Sequence, residues 1–245
     1  MENNPKITVI DSLMGSGKSS WAIQYMRQHP EKSFIYVTPT LSEVSRIQKE
    51  VGTPEKKFYT PFNTGSGKTE GIRRLFQGGK NIACTHALFK LLTLDMIDLI
   101  QQGNYTVIID EALNVFEVMT RSKKDDFRIM QQANLCSVDS GGYIVWNPDE
   151  LHSESAFDEL RNLALNHSLM RIDDTHLIWK YPPGIFHAAK EVFVLTYLFD
   201  GSTMKPYFEM EGMAYQTKGI VSVGNDYQIP DYTIPDTSQF QSLIQ

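Results

Sequence analysis

Eight residues near the N-terminus, Ser12-Leu-Met14-Gly15-Ser16-Gly17-Lys18-Ser19, have the types and spacing of a phosphate-binding loop, except that Ser12 stands where the pattern begins with glycine. Gly15 and Gly17 allow the backbone to curl so that successive N–H groups point at phosphate oxygens, and a helix starting here adds its positive end. In that arrangement Lys18 reaches the β- and γ-phosphates of ATP and Ser19 ligates Mg²⁺. Ser12, Met14, Ser16 and Ser20 complete the nucleotide-binding set.

A second chemical element stands far down the chain. Asp110 and Glu111 close an apolar run, and the aspartate suits the Mg²⁺ shell while the glutamate suits a water that must be oriented or deprotonated. Lys18 and Glu111 are therefore the candidate catalytic pair, and Ser19 and Asp110 the candidate metal ligands. An echo of the loop, Gly65-Ser-Gly-Lys68-Thr69, has no buried strand leading into it and has Phe62 in the first glycine's place. It reads as a polar loop.

These residues need a scaffold, and the apolar pattern supplies one. Short β-branched runs at 7–10, 34–37, 81–84, 105–109 and 192–195 read as buried strands, and segments with helical spacing follow the first three, from Ser19 to the His29-Pro30 stop, at 42–51 and at 87–100. Strands alternating with helices predict an α/β fold with a mostly parallel sheet flanked by helices. Between about 117 and 190 the rhythm breaks, which predicts an inserted subregion with a helix at 155–167. Its Tyr143, Trp146 and Trp179 are read as core aromatics before any base-stacking role. The Pro- and Asp-rich residues 229–245 read as a linker or tail after a domain spanning 1–228.

The chain has 245 residues with 41% apolar content, enough for one large core. A net charge of −6 argues against a uniformly basic surface but leaves room for a local cationic groove. Cys84 and Cys136 lack the paired spacing of a zinc site. No run is long and apolar enough to span a bilayer, and the N-terminus has no signal-peptide pattern, so no membrane partner and a cytoplasmic location are expected.

With these residues in order, the chain resembles the first RecA-like domain of superfamily-two (DEAD-like) helicases, including viral origin-binding helicases whose loop also reads Met-Gly-Ser-Gly-Lys. Residues 12–19 correspond to motif I, Val37-Thr38-Pro39-Thr40 to motif Ia, Thr85-His86 to the element before motif II, Asp110-Glu111-Ala112 to motif II, and Leu195-Thr196-Tyr197 to motif III. The resemblance implies a RecA-like P-loop NTPase, an ATPase working with ATP and Mg²⁺ in phage DNA replication or repair. It implies that Thr38, Pro39, Thr40, Thr85 and His86 contact single-stranded or duplex DNA, and that Thr196 and Tyr197 couple the two activities.

Motif II reads Asp-Glu-Ala-Leu, Tyr197 follows Thr196 where a small residue is usual, and nothing matches a second RecA-like domain. In such helicases that second domain provides an arginine worth about 10³–10⁵ in rate. Slow hydrolysis is therefore expected without a second domain in cis or a partner protein. Two other readings use the same loop: a thymidine-kinase-like phosphotransferase, against which the missing cysteine pairs count, and a non-catalytic nucleotide-gated module.

Overall fold

Apolar runs that end on one polar residue suit strands buried on both faces and capped at a sheet edge. The computed structural model describes residues 5–52, 56–61, 67–119, 125–151, 156–173 and 176–234. In it the chain opens with β1 (Ile7–Asp11), the loop 12–17 and α1 (Lys18–Gln28). There follow β2 (Phe34–Thr38), α2 (Leu41–Glu50), β3 (Phe58–Tyr59), α3 (Gly67–Gln77), β4 (Asn81–Thr85), α4 (His86–Phe89), α5 (Leu94–Gln102) and β5 (Thr106–Asp110).

Residues Asn114–Ile185 form a compact unit of their own. It contains β6 (Phe116–Val118), α6 (Asp126–Gln132), β7 (Cys136–Val138), β8 (Ile144–Trp146), α7 (Asp158–Leu165), β9 (Leu169–Arg171) and β10 (Leu177–Lys180). Its strands pair antiparallel, β6-β10-β9 in one sheet and β7-β8 in another. Trp146 lies in a core with Met130, Ile144 and Leu169, and Trp179 is buried too. Tyr143 stacks on His167 with ring centroids 3.8 Å apart.

After α8 (Gly184–Ala188), whose sequence runs from one unit into the other, the larger unit is completed by β11 (Glu191–Thr196), α9 (Met204–Met210), β12 (Tyr215–Lys218), β13 (Val221–Val223) and β14 (Asp226–Gln228). Its seven-stranded sheet runs β12-β1-β11-β5-β2-β4-β3, every neighbouring pair parallel, as the α/β pattern predicts. Asp11 pairs with Thr196, Leu195 with Asp110, and Thr38 with Thr85. Five strands thus finish level, and their last residues, Asp11, Thr196, Asp110, Thr38 and Thr85, align along one edge. Open α/β sheets bind ligands at this carboxyl edge.

Helix α1 is fixed by its apolar stripe. Trp21, Ala22 and Met26 pack with Ile10, Phe34, Tyr36, Ile108, Phe193 and Leu195 in one core, and each large apolar side chain removed from water contributes about 1.5–3 kcal/mol. Its far end is closed by Lys56, whose Nζ donates to the carbonyls of His29 at 2.7 Å and Met26 at 3.3 Å, the favourable place for a cation on a helix. Burial pulls the Lys56 ammonium down to about 8.

Several local expectations change. The apolar stretch 87–100 is two helices, α4 and α5, because Thr93 turns the chain and begins the second. Lys68 and Thr69 lie in the first turn of α3, not in a loop, while 62–66 fall outside the described residues. The helix expected at 155–167 is α7, three residues later at its start. Strands β3, β12, β13 and β14, two to four residues long, are too short to show a period. Part of the expected tail, 235–245, is outside the described residues, and Asp231 within it bridges to Lys218. Cys84 and Cys136 are buried free thiols. Among the described residues no helix is long and apolar enough to cross a membrane.

Candidate nucleotide site

The loop after β1 begins in register with its neighbour: the Ser12 N–H donates to the Thr196 carbonyl at 3.1 Å. Asp11, at the strand end, is buried and accepts the N–H groups of Leu198 and Phe199, each at 2.9 Å, which ties the turn after β11 to the start of the loop. The chain then curls through Gly15 at φ 76° and Gly17 at φ 96°, conformations open to glycine, and α1 begins.

Gly17 caps α1 without a side-chain acceptor. Helices α2 and α4, which leave the same sheet edge, are capped by the hydroxyls of Thr40 and Thr85. The first-turn N–H groups of α1 therefore lack the side-chain acceptor the other two have, as an anion-binding helix end requires. Ser16 supplies a second mark, since its Oγ is buried with no hydrogen-bond partner among the described residues. Both features suit phosphate oxygens.

Two distant parts of the chain meet beside this turn. The Ser19 hydroxyl donates to the Asp110 carboxylate, 3.1 and 3.2 Å from its two oxygens. The Tyr36 hydroxyl, from the middle of β2, donates to Asp110 Oδ2 at 2.7 Å. Burial first, then the Asp110 charge, pushes the Tyr36 phenol up, so it stays a donor. From the start of α4, His86 Nε2 lies 2.9 Å from the Asp110 carbonyl oxygen and so donates, while burial pulls its imidazole down toward the neutral form. Asp110 is thereby held from three elements.

Lys18 and Glu111 face the same cleft, a cavity of about 440 Å³ lined also by Met14, Gly15, Ser19, Asp110, Leu195 and Tyr197. The Lys18 ammonium folds back onto the carbonyls of Ser12 and Leu13 at 2.7 and 2.8 Å. Burial lowers its pKa, opposed by the charges of Asp11, Asp110 and Glu111. Three carboxylates around one ammonium leave an excess of negative charge, and a hydroxyl beside a carboxylate is an oxygen donor set that suits a hard divalent cation. Glu111 is exposed and held at φ 67°, in the left-handed region, by its N–H donating to the Leu195 carbonyl at 2.9 Å.

The expected DNA-contact residues divide. Pro39 and Thr40 are exposed, and Thr85 and His86 are half-buried, each beside the sheet edge. Thr38 is a correction: it is fully buried in β2, because the strand runs one residue further than its apolar stretch, so it offers no surface to a nucleic acid. The hydroxyls of Thr40 and Thr85 already accept from Glu43 and Leu88 N–H groups. Thr196 is buried at the loop's base, and Tyr197 lines the cleft.

The sequence reading missed three residues at the site. Tyr36 had a signal, a lone hydroxyl within an apolar strand, and so did Asp11, a carboxylate at a buried strand's end. Tyr227 had none. Its ring packs on the loop so closely that a Cβ on Gly17 would lie 2.2 Å from a ring carbon. Gly17→Ala is accordingly expected to cost about 1–3 kcal/mol, from left-handed strain and overpacking together, and to appear as a lower midpoint in thermal denaturation.

Fold and site define a class: an α/β domain with a glycine-turned loop, a lysine and a serine–aspartate pair at the carboxyl edge of its parallel sheet. Residues 119–179 match the family described as the YonV middle domain. The chain is 32% identical over 239 residues to the SPbeta prophage-derived uncharacterized protein YonV of Bacillus subtilis (strain 168), covering 93% of this chain and 57% of that protein. A solved structure described as XPD_APO aligns at 15% identity and a TM-score of 0.42, covering 88% of this chain and 55% of that one. The chain thus spans little more than half the length of either relative.

Proposed function

We propose that this chain is an ATP-binding and ATP-hydrolysing motor domain of the superfamily-two helicase kind, acting on DNA in phage replication or repair. The observation that carries the reading is the meeting of Ser19 with Asp110, 3.1 Å apart, in the cleft that holds Lys18 and Glu111. Ser19 comes from the first turn of α1, which follows β1, and Asp110 from β5, with β11 between those two strands. Their convergence needs the tertiary fold, so a chance sequence match gives it no account.

In this reading the backbone of 12–17 and the first turn of α1 cradle the phosphates, with Ser12, Met14, Gly15, Ser16, Gly17 and Ser20 forming its walls. Lys18 leaves its two loop carbonyls for the β- and γ-phosphate oxygens. Ser19 and Asp110 hold Mg²⁺, which when bound would offset charge on the phosphates. Glu111 orients the attacking water and takes its proton. Tyr36 and His86 position Asp110, and Thr196 ties the loop to β11 so that movement at the γ-phosphate reaches Tyr197.

Pro39, Thr40, Thr85 and His86 are the DNA-facing set. The arginine that completes phosphoryl transfer comes from a second RecA-like domain or a partner, and the domain alone turns over slowly. The prophage origin in a relative's description supports the phage setting.

The test is phosphate release from Mg-ATP with and without single-stranded DNA, with Lys18→Ala as the blank. Stimulation by DNA that vanishes in the variant is the expected result. Hydrolysis insensitive to DNA, with phosphate transferred to a nucleoside instead, would overturn it in favour of a small-molecule phosphotransferase.

A further inference from the structure

We infer that the groove between α1 and the β13-β14 hairpin receives the nucleoside end of the nucleotide, with Tyr227 as the platform for its base. This rests on the nucleotide-binding reading above and extends it to a site no loop motif describes.

The hairpin is not loosely placed. The Tyr227 N–H donates to Gln24 Oε1 at 2.9 Å and Gln24 Nε2 donates to the Tyr227 carbonyl at 3.3 Å, so one side-chain amide on α1 pairs with the hairpin backbone as a neighbouring strand would. The Tyr227 ring packs partly into the core and against Gly17. The groove beside it has a volume of about 400 Å³, within the range of small-ligand pockets, and is lined by Ser20, Ile23, Gln24, Asn225, Asp226 and Tyr227 among others.

Direction is set by the site already described. The γ-phosphate must lie toward Glu111, so the opposite end of the ligand leads away from Glu111 across the first turn of α1. Ser19, on the phosphate side, and Ser20, which lines the groove, are consecutive residues of that turn. A nucleotide bound at Lys18 and Ser19 therefore delivers its ribose and base to Tyr227. There the ring stacks the base, while the exposed Asp226 carboxylate and Asn225 amide accept from an exocyclic amine.

The experiment is calorimetric titration of the full chain with Mg-ATP and separately with Mg-tripolyphosphate, which has the phosphates but no base. Tyr227→Ala is expected to weaken ATP about 10- to 100-fold, the range of base–aromatic stacking, and to leave tripolyphosphate unchanged, while Tyr227→Phe keeps both. Asn225→Ala with Asp226→Ala, both exposed positions, is the second arm and is expected to weaken ATP alone. An ATP affinity unchanged in both Tyr227→Ala and the double variant overturns the inference. Equal loss for ATP and tripolyphosphate in Tyr227→Ala does the same, since the ring would then only support the loop. ATP binding that is lost in Lys18→Ala yet indifferent to the hairpin variants overturns this inference alone, whereas wild-type chain that binds neither ligand overturns the nucleotide reading with it.

Discussion

Glu111→Gln is expected to slow phosphate release by about 10²–10⁴-fold while Mg-ATP binds as before. Glutamine keeps the size of glutamate and the same N–H donation to Leu195, but it cannot take a proton from water. The residue lines the cleft with Lys18, Ser19 and Asp110, and its left-handed backbone, at φ 67°, is uncommon for a side chain of this size. Such strain is found where a chemical position over-rides local comfort. A companion follows from it: Glu111→Gly relieves about 1 kcal/mol of strain and raises the melting temperature by roughly 2–4 °C while removing the base. Parallel assays of phosphate release, ATP affinity and melting read all of these effects. Hydrolysis that survives Glu111→Gln would assign the water to another group.

Asp110→Ala and Asp110→Asn are expected to part company. The alanine variant leaves the buried Tyr36 hydroxyl without its acceptor at 2.7 Å, which costs about 1–3 kcal/mol of stability, and it removes the carboxylate proposed to hold the metal with the same stroke. The asparagine variant still offers a carbonyl oxygen to Tyr36 and to Ser19, so it melts close to wild type. Both lose Mg²⁺-dependent hydrolysis, because an amide oxygen lacks the charge that holds a hard cation. Denaturation midpoints separate the two variants, and phosphate release over a Mg²⁺ titration shows them alike. An Asp110→Asn protein with normal Mg²⁺ dependence would place the ion elsewhere.

Most of the strand-and-helix order was legible because it is local. Residues 7–10, 34–37, 81–84 and 192–195 each fall within a strand of the sheet, and 105–109 overlaps β5 from its second residue, since a buried parallel strand needs both faces apolar and shows it within a few residues. The fold's edges were not legible. Strand β12, Tyr-Gln-Thr-Lys, is only partly buried and held by backbone pairing to β1, so nothing in its side chains marks it. The Asn114–Ile185 unit uses strands of three or four residues, too short to show a period.

The sequence by itself determined the chemistry that local spacing can encode: two glycines to turn the loop, Lys18 and Ser19 at the start of a helix, and an acidic pair at the end of a buried strand. Which of these residues meet was decided by the tertiary structure. Strand order places β11 between β1 and β5, register levels Asp11, Thr196 and Asp110, and packing lays Tyr227 against Gly17. Gln24 and Tyr227 lie 203 positions apart, and Ser19 and Asp110 lie 91 apart. Contacts at such separations form only when the whole sheet closes, because loop entropy disfavours each of them until burial across the core outweighs it.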